Sequence, residues 1–282
     1  MLELFSHQFI QYAFIAGTLI TIICAIVGYF VVLRAQAFAA ESLSCVGFTG
    51  ATGAAVFGLS SLVGTFLFTI IVALGFGAFG KRIKGRDIEV GMILSFALGL
   101  GVLFLKLYTT NATEAVGILF GSILSVTTSD LYLSLFSGIV ALITLTIIFR
   151  PLLFASIDPE VAEARGVPVT LLGVIFMLLV GITIAEAILV VGVLLVFALL
   201  IAPAATAQHI SNRPVTSILL SIALGLGFTW GGMFLGLLFH VPVSFFIASL
   251  AALAYLLAVP LYHVVSPHLY SPLPHNGKEV EM

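Results

Sequence analysis

The sequence alternates long apolar segments with short polar ones along almost its whole length. A membrane-crossing helix needs about 20 predominantly apolar residues. Nine segments approach or exceed that length, at residues 9–33, 37–59, 62–79, 88–108, 131–149, 169–186, 189–208, 215–239 and 243–262. The pattern therefore predicts an all-α, polytopic membrane bundle of about nine transmembrane helices, and eight or ten remain compatible with its boundaries.

Two segments fall outside this pattern. The apolar stretch at residues 115–126 is too short to cross a bilayer, so it predicts a re-entrant or interfacial helix. Residues 263–282 become polar and contain proline and histidine, and we expect a loose tail there. All apolar segments belong to one block, which predicts a single domain over residues 1–282.

Composition supports a membrane protein and excludes several other classes. Only 8% of the residues are charged and 61% are hydrophobic, whereas soluble domains carry about 25% charged residues. The net charge of -2 gives no basic surface for nucleic acid. Two cysteines, both in apolar segments, do not suggest a disulfide framework.

The basic residues predict the orientation of the chain. Arg34, the cluster at residues 81–86, the loop at residues 150–165 and Arg213 all fall on one side if there are nine crossings. Short loops rich in lysine and arginine face the cytoplasm. We therefore expect the N-terminus outside and the C-terminus in the cytoplasm.

The second apolar segment contains an acid and a thiol in a run of small residues. Glu41 and Cys45 are four positions apart, so on a helix they lie on the same face. A carboxylate within the bilayer is costly and indicates a functional site, and both groups could bind one metal ion. The alternative is that Glu41 lies near the water interface and Cys45 is a small packing residue.

Several motif matches lack the context that their function needs. Residues 75–80 match G-x-G-x-x-G, but the glycines end a membrane helix, and Arg82 replaces the Ser or Thr of a P-loop. The hydrolase patterns H-E-x-x-H and G-x-S-x-G are absent from the sequence. We therefore expect no nucleotide site and no catalytic residues in this chain.

The polar loop after the fifth segment has the signals of a short helix. Asp158 is a favoured N-cap, Pro159 suits the first position, and Gly166 followed by Pro168 ends the helix. One interpretation is a structured loop. The other is a docking element for a cytoplasmic partner, formed by Asp158, Pro159, Glu160, Glu163, Arg165 and Gly166.

Four segments together resemble the ATP-binding cassette (ABC) transporter permeases for zinc, manganese and iron uptake. Residues 156–169 are similar to the coupling-helix segment of that family, and residues 191–207 to its VGxLLVxALLxxPAATA helix. Residues 31–44 resemble its VLRRxSFxGDALSH region, and residues 119–124 its LFGSLL segment. The matches run in order from about residue 10 to 260, so they identify the family but not the metal.

The resemblance implies a permease domain in a prokaryotic cell membrane that forms the translocation path as a homodimer. Separate ATPase subunits would hydrolyse ATP, and an extracytoplasmic metal-binding protein would deliver the ion. The chain itself would be no enzyme and would keep no permanent cofactor. Its coupling helix would receive force from the ATPase through the residues that begin at Asp158.

The resemblance also assigns the metal site. The family's acid and histidine in the DALSH segment are thought to bind metal, and they fall on Glu41 and Cys45. The sequence departs from the family at both positions, with Glu for Asp and Cys for His. A thiolate suits zinc better than manganese, which favours zinc as cargo over manganese or iron. The two departures are also compatible with a site that has lost metal binding, in a permease that transports something else or works poorly.

Glu186 is the other acid inside the apolar pattern. Its place between the sixth and seventh segments has two interpretations, a hairpin residue exposed to water or a residue near the outer mouth of the path.

Two other classes of function compete with the importer permease. An ion-coupled secondary transporter would work without an ATPase and usually shows repeated halves, which we do not detect. An intramembrane enzyme would need a cluster of polar residues within the membrane, and only the segment around Glu41 and Cys45 offers one.

Overall fold

The protein is a bundle of long helices packed against one another. The computed structural model describes residues 8–79, 87–108, 121, 128–239 and 241–265. Within this part it has ten helices and no strand. They are α1 (Gln8–Leu33), α2 (Ala37–Val56), α3 (Ser61–Phe79), α4 (Asp87–Tyr108), α5 (Thr128–Ile157), α6 (Pro159–Ala164), α7 (Val169–Val191), α8 (Val193–Ile210), α9 (Pro214–Phe239) and α10 (Val243–Val265).

Eight of these helices are long and apolar enough to cross a membrane. The ninth long helix, α2, has 20 residues but is rich in Gly, Ala, Ser and Thr, and it lies inside the bundle. The predicted polytopic helical bundle is therefore confirmed. The predicted short helix at residues 115–126, apart from Gly121, and the basic cluster at 81–86 lie outside the described residues.

Two predicted boundaries are wrong. Helix α5 continues through Pro151 to Ile157 instead of ending at residue 149. Proline removes one backbone donor, but its fixed φ is compatible with a helix, so the chain can continue past it. Helix α7 ends at Val191 and not at residue 186, because the turn is made by Gly192, whose φ of +83° favours glycine.

Small residues bring the central helices close together. Gly50 of α2 lies directly against Gly64 of α3, and Gly28 of α1 lies against the carbonyl of Leu200 in α8. A side chain at any of these glycines would collide with backbone of the facing helix. Close backbone approach through small residues is how membrane helices gain packing energy. Helix α2, whose Gly50 makes one of these contacts, packs against α3, α4, α7 and α8.

Aromatic side chains fill the end of the bundle where α1, α5 and α7 meet. Phe30 and Phe176 are among the largest fully buried side chains. The ring of Phe30 meets Phe149 edge-on at 5.5 Å and Phe176 at 6.3 Å between centroids. Such pairs add to the energy of area burial, so this cluster fixes the three helices relative to one another.

Candidate functional site

Helix α2 is enclosed along most of its length, and Glu41 is the one partly exposed residue inside the enclosed stretch. From Ala39 to Ala55 every residue is buried except Glu41, which is partly exposed. The carboxylate oxygen Oε2 of Glu41 is buried and has no hydrogen-bond partner among the described residues. A buried acceptor without a partner costs about 1–3 kcal/mol. Glu41 therefore has an unfilled capacity to bind a cation or a donor.

Cys45 follows one turn later on the same face of α2. Its side chain is only 5% exposed and packs with Val46 and with Ala97 of α4, next to Val72 and Leu94. It is a free thiol. The position agrees with both sequence interpretations, since a thiol there is a packing residue that also lies one turn from the acid.

Thr49 continues the face of α2 that carries Cys45 and holds it against α4. Its hydroxyl lies within hydrogen-bond distance of the carbonyl of Ala97 on α4 and of the carbonyl of Cys45 on its own helix. Gly101 of α4 faces Thr49 and Phe48, and a side chain at position 101 would not fit there. The α2–α4 contact is therefore fixed one turn after Cys45 along α2.

The described residues of one chain do not form a complete metal centre. They contain no group of three or more His, Cys, Asp or Glu side chains that could hold an ion. Glu41 and Cys45 supply one carboxylate and one thiol, and further ligands would have to come from another molecule or from water. A site with few protein ligands suits an ion that must be released as well as bound.

Glu186 lies elsewhere and has a different environment from the one expected of a hairpin residue. It is inside α7, five residues before its end, and only 3% exposed. The hydroxyls of Ser134 and Ser137 on α5 donate to its two carboxylate oxygens, each at 2.6 Å. The water-exposed interpretation is therefore wrong, because the turn comes later, at Gly192. The two serines were missed by sequence reasoning, although their i, i+3 spacing is a polar signal on an apolar helix.

The loop after α5 forms the short helix that its sequence predicts. Asp158 accepts a hydrogen bond from the backbone N–H of Val161 at 3.0 Å, and Pro159 occupies the first turn. At the other end, Val167 N–H donates to Ala162 O and Gly166 N–H to Glu163 O, which is a Schellman ending. Gly166 has the left-handed φ of +81° that this ending needs.

One side chain anchors α6, and the rest of the helix is exposed. Ala162 is completely buried, whereas Glu160, Glu163 and Arg165 are exposed. A short helix capped at both ends and held by one small residue presents a defined surface of charged side chains. Arg34 contacts the chain just before this helix, because its guanidinium donates to Ser156 Oγ at 3.4 Å. Sequence reasoning missed this contact.

Comparisons with known proteins agree with this architecture. The model of the ABC 3 transport family matches residues 6–261. Manganese transport system membrane protein MntC of Halalkalibacterium halodurans is 30% identical over 258 residues, which are 91% of this chain and 88% of the relative. Manganese import system permease protein ScaB of Streptococcus gordonii is 31% identical over 256 residues, which are 90% and 92% of the two chains.

A solved structure supports the same assignment. The structure of PsaBC from Streptococcus pneumoniae in complex with Fab matches with a TM-score of 0.79 and 30% identity, covering 89% of this chain and 91% of that one. This chain is therefore a member of the ABC 3 transport family, a multi-pass membrane permease for metal.

Proposed function

We propose that the chain is the membrane subunit of an ATP-driven importer of divalent transition metal. Two copies would form the translocation path, two separate ATPase subunits would hydrolyse ATP, and an extracytoplasmic metal-binding protein would deliver the ion. The N-terminus would be outside and the C-terminus in the cytoplasm of a prokaryotic cell. The observation that carries the proposal is Glu41, the one partly exposed residue between Ala39 and Ala55 of α2, with an unpartnered carboxylate oxygen.

Glu41 and Cys45 would bind the ion transiently during its passage. Their counterparts from a second copy would double the set to two carboxylates and two thiols, which is enough ligands for one transition-metal ion. The shortage of other His, Cys, Asp or Glu groups in the described part supports a site shared between copies. Glu186 would remain a structural residue near the outer side of the path.

Manganese is the cargo favoured by the relatives, because MntC and ScaB are named for manganese. Those names give no support to the preference for zinc that the sequence suggested. Zinc is the second candidate and rests on one observation, the Cys45 thiol one turn from Glu41. Thiolate ligands select zinc, and carboxylate ligands suit manganese. The cargo therefore depends on whether Cys45 contacts the ion.

Helix α6 would transmit the motion of the ATPase. It is exposed, capped at both ends and anchored by Ala162. These features support an ATPase-driven mechanism over the alternative, an ion-coupled secondary transporter, which would have no need of a docking helix. ATP dependence of uptake separates the two.

The test is metal uptake into vesicles by the permease purified with its ATPase and its binding protein. Loss of one charged ligand, worth about 1.5–3 kcal/mol, should lower uptake by about 10- to 100-fold in Glu41→Gln. Glu89→Gln, which changes an exposed acid at the start of α4, is the matched control and should transport normally. Unchanged uptake in Glu41→Gln, or uptake by the wild type without ATP, would contradict the proposal.

The same vesicles distinguish the two metals. If Cys45 binds the ion, Cys45→Ala should lower zinc uptake more than manganese uptake. If Cys45 only packs against α4, the variant should change the two rates equally, and manganese should be the better substrate of the wild type.

A further inference from the structure

Arg34 lies where α1 ends and connects two parts of the chain that are far apart in sequence. Its guanidinium donates to Ser156 Oγ at 3.4 Å and to Gln36 Oε1 at 3.4 Å. Its Cζ atom lies 5.5 Å from the centre of the Phe176 ring. Ser156 donates in turn to the carbonyl of Leu152, so its lone pairs are free to accept from Arg34. One side chain thus contacts α5, α7 and the turn that leads into α2.

The setting of Arg34 is unusual for a cation. The side chain is only partly exposed, and burial lowers the pKa of the Arg34 guanidinium, although arginine still stays charged at neutral pH. Among the described residues no carboxylate pairs with it. Stacking over an aromatic ring and hydrogen bonds to neutral oxygens are contacts that guanidinium makes better than ammonium, because it is planar and weakly hydrated. The position therefore requires arginine and not only positive charge.

The contacts of Arg34 join the base of α6 to the start of α2. Ser156 lies two residues before the Asp158 cap of α6, and Gln36 directly precedes α2. Between Arg34 and Gln36, Ala35 has φ of +54°, which a residue other than glycine rarely adopts. Backbone in such a conformation persists only where the surrounding contacts hold it. The α1–α2 turn is therefore held in place by its neighbours.

A cavity separates the two elements that Arg34 joins. It has a volume of about 380 Å³ and is lined by residues 33–36, residues 155–160 and Val169. The lining includes the first residues of α6 and the whole α1–α2 turn. The α1–α2 turn and the start of α6 are therefore not packed tightly against each other, and Arg34 is one of the residues that line the space between them.

We propose that Arg34 is the positioning residue that carries motion of the coupling helix α6 to α2 and hence to Glu41. The inference rests on the proposed function, because it takes α6 as the ATPase contact and Glu41 as a ligand. A displacement of α6 moves Ser156, the Ser156–Arg34 contact moves the α1–α2 turn, and α2 follows. Phe176 keeps the guanidinium oriented while its hydrogen bonds change.

The test compares ATP hydrolysis with metal uptake in the complete complex in vesicles. Arg34→Gln removes the charge, and Arg34→Lys keeps the charge but loses the planar group. In both variants the ATP consumed per ion transported should rise by about fivefold or more, which is the lower end of the usual range for coupling between two sites. The ATPase should still co-purify with both variants, since the surface of α6 is unchanged. Arg213→Gln, at an exposed arginine between α8 and α9, is the control and should keep the wild-type ratio.

A double variant tests the contact itself. Ser156→Ala should raise the same ratio of ATP consumed to ions transported. The double variant Arg34→Gln with Ser156→Ala should raise that ratio no further than Arg34→Gln alone, because both substitutions remove the same Arg34–Ser156 contact. Equal thermal stability of Arg34→Lys and wild type excludes a folding defect as the cause. A wild-type ratio in both Arg34 variants, or effects that add fully in the double variant, would overturn the inference. Failure of the proposed function would appear differently, as wild-type complex that does not transport metal with ATP.

Discussion

Glu41 and Glu186 are both carboxylates in long helices of the bundle, and their hydrogen bonds separate their roles. Each oxygen of Glu186 accepts from a serine hydroxyl at 2.6 Å, whereas one oxygen of Glu41 has no partner in the described part of the chain. A satisfied buried acid stabilises the helices that it joins, and an unsatisfied one destabilises the fold until a ligand arrives. Glu186 therefore joins α7 to α5, whereas Glu41 keeps an oxygen without a partner, which supports the proposal that Glu41 binds the ion.

The serines that hold Glu186 can be tested by stability. Ser134→Ala with Ser137→Ala removes both serine donors to the carboxylate and should lower the free energy of unfolding by about 1–3 kcal/mol. Membrane hydrogen bonds average about 0.6 kcal/mol each, so the two bonds account for the lower end, and the unpaired carboxylate oxygens add the rest. Glu186→Gln can still bond to the serines and should lose less than about 1 kcal/mol. Thermal unfolding in detergent measures both, with Thr170→Ala at an exposed position as control. A double serine variant as stable as wild type would show that the two bonds contribute nothing.

Single residues were predictable from the sequence only where the signal is local. Glu41 and Cys45 stand out because an acid and a thiol at i, i+4 interrupt an apolar run. The environment of Glu186 was not predictable, because its serine partners are 49 and 52 positions away and belong to another helix. The metal was not predictable either, since one thiol favours zinc whereas the relatives are named for manganese.

At the scale of elements, α6 is the part that the sequence determines most completely. Its cap at Asp158, its Pro159 and its left-handed Gly166 are local signals, and each has the predicted geometry. The ends of α5 and α7 were predicted less well. Arg150 and Pro151 look like a helix stop, and Glu186 looks like a turn residue, but the fixed φ of proline lets α5 continue, and the turn after α7 comes at Gly192.

The cap of α6 gives a prediction with a close control. Asp158→Ala removes the side-chain acceptor for Val161 N–H and should cost about 1 kcal/mol of local stability. Because α6 has only six residues, that loss should unwind it and reduce the ATPase retained in a pull-down. Asp158→Asn caps equally well and should retain the ATPase. Retention by the alanine variant at the wild-type level would show that the helix is not the docking element.

At the scale of the whole molecule, the order of long helices was predictable and their packing was not. The contact between Arg34 and Ser156 joins the ends of α1 and α5 on one face, as the distribution of basic residues predicts for that pair. Nothing in the sequence pairs Gly50 with Gly64, or Gly28 with the carbonyl of Leu200, because small residues permit many close approaches. The first of these pairings packs α2 against α3, and the second packs α1 against α8.

The two cysteines make the proposed path testable in the intact complex. Cys24 of α1 is completely buried in the core, whereas Cys45 is 5% exposed one turn from Glu41. If α2 borders a path that opens during the cycle, a small maleimide should modify Cys45 in Cys24→Ala at a rate that changes with nucleotide. Saturating manganese or zinc should slow that reaction by about fivefold or more, if ion and reagent compete for one place. Cys24 in Cys45→Ala should stay unmodified under every condition, because its side chain is completely buried in the core and away from the proposed path. Intact-protein mass spectrometry measures both variants, and equal rates for the two thiols would show that Cys45 does not border the path.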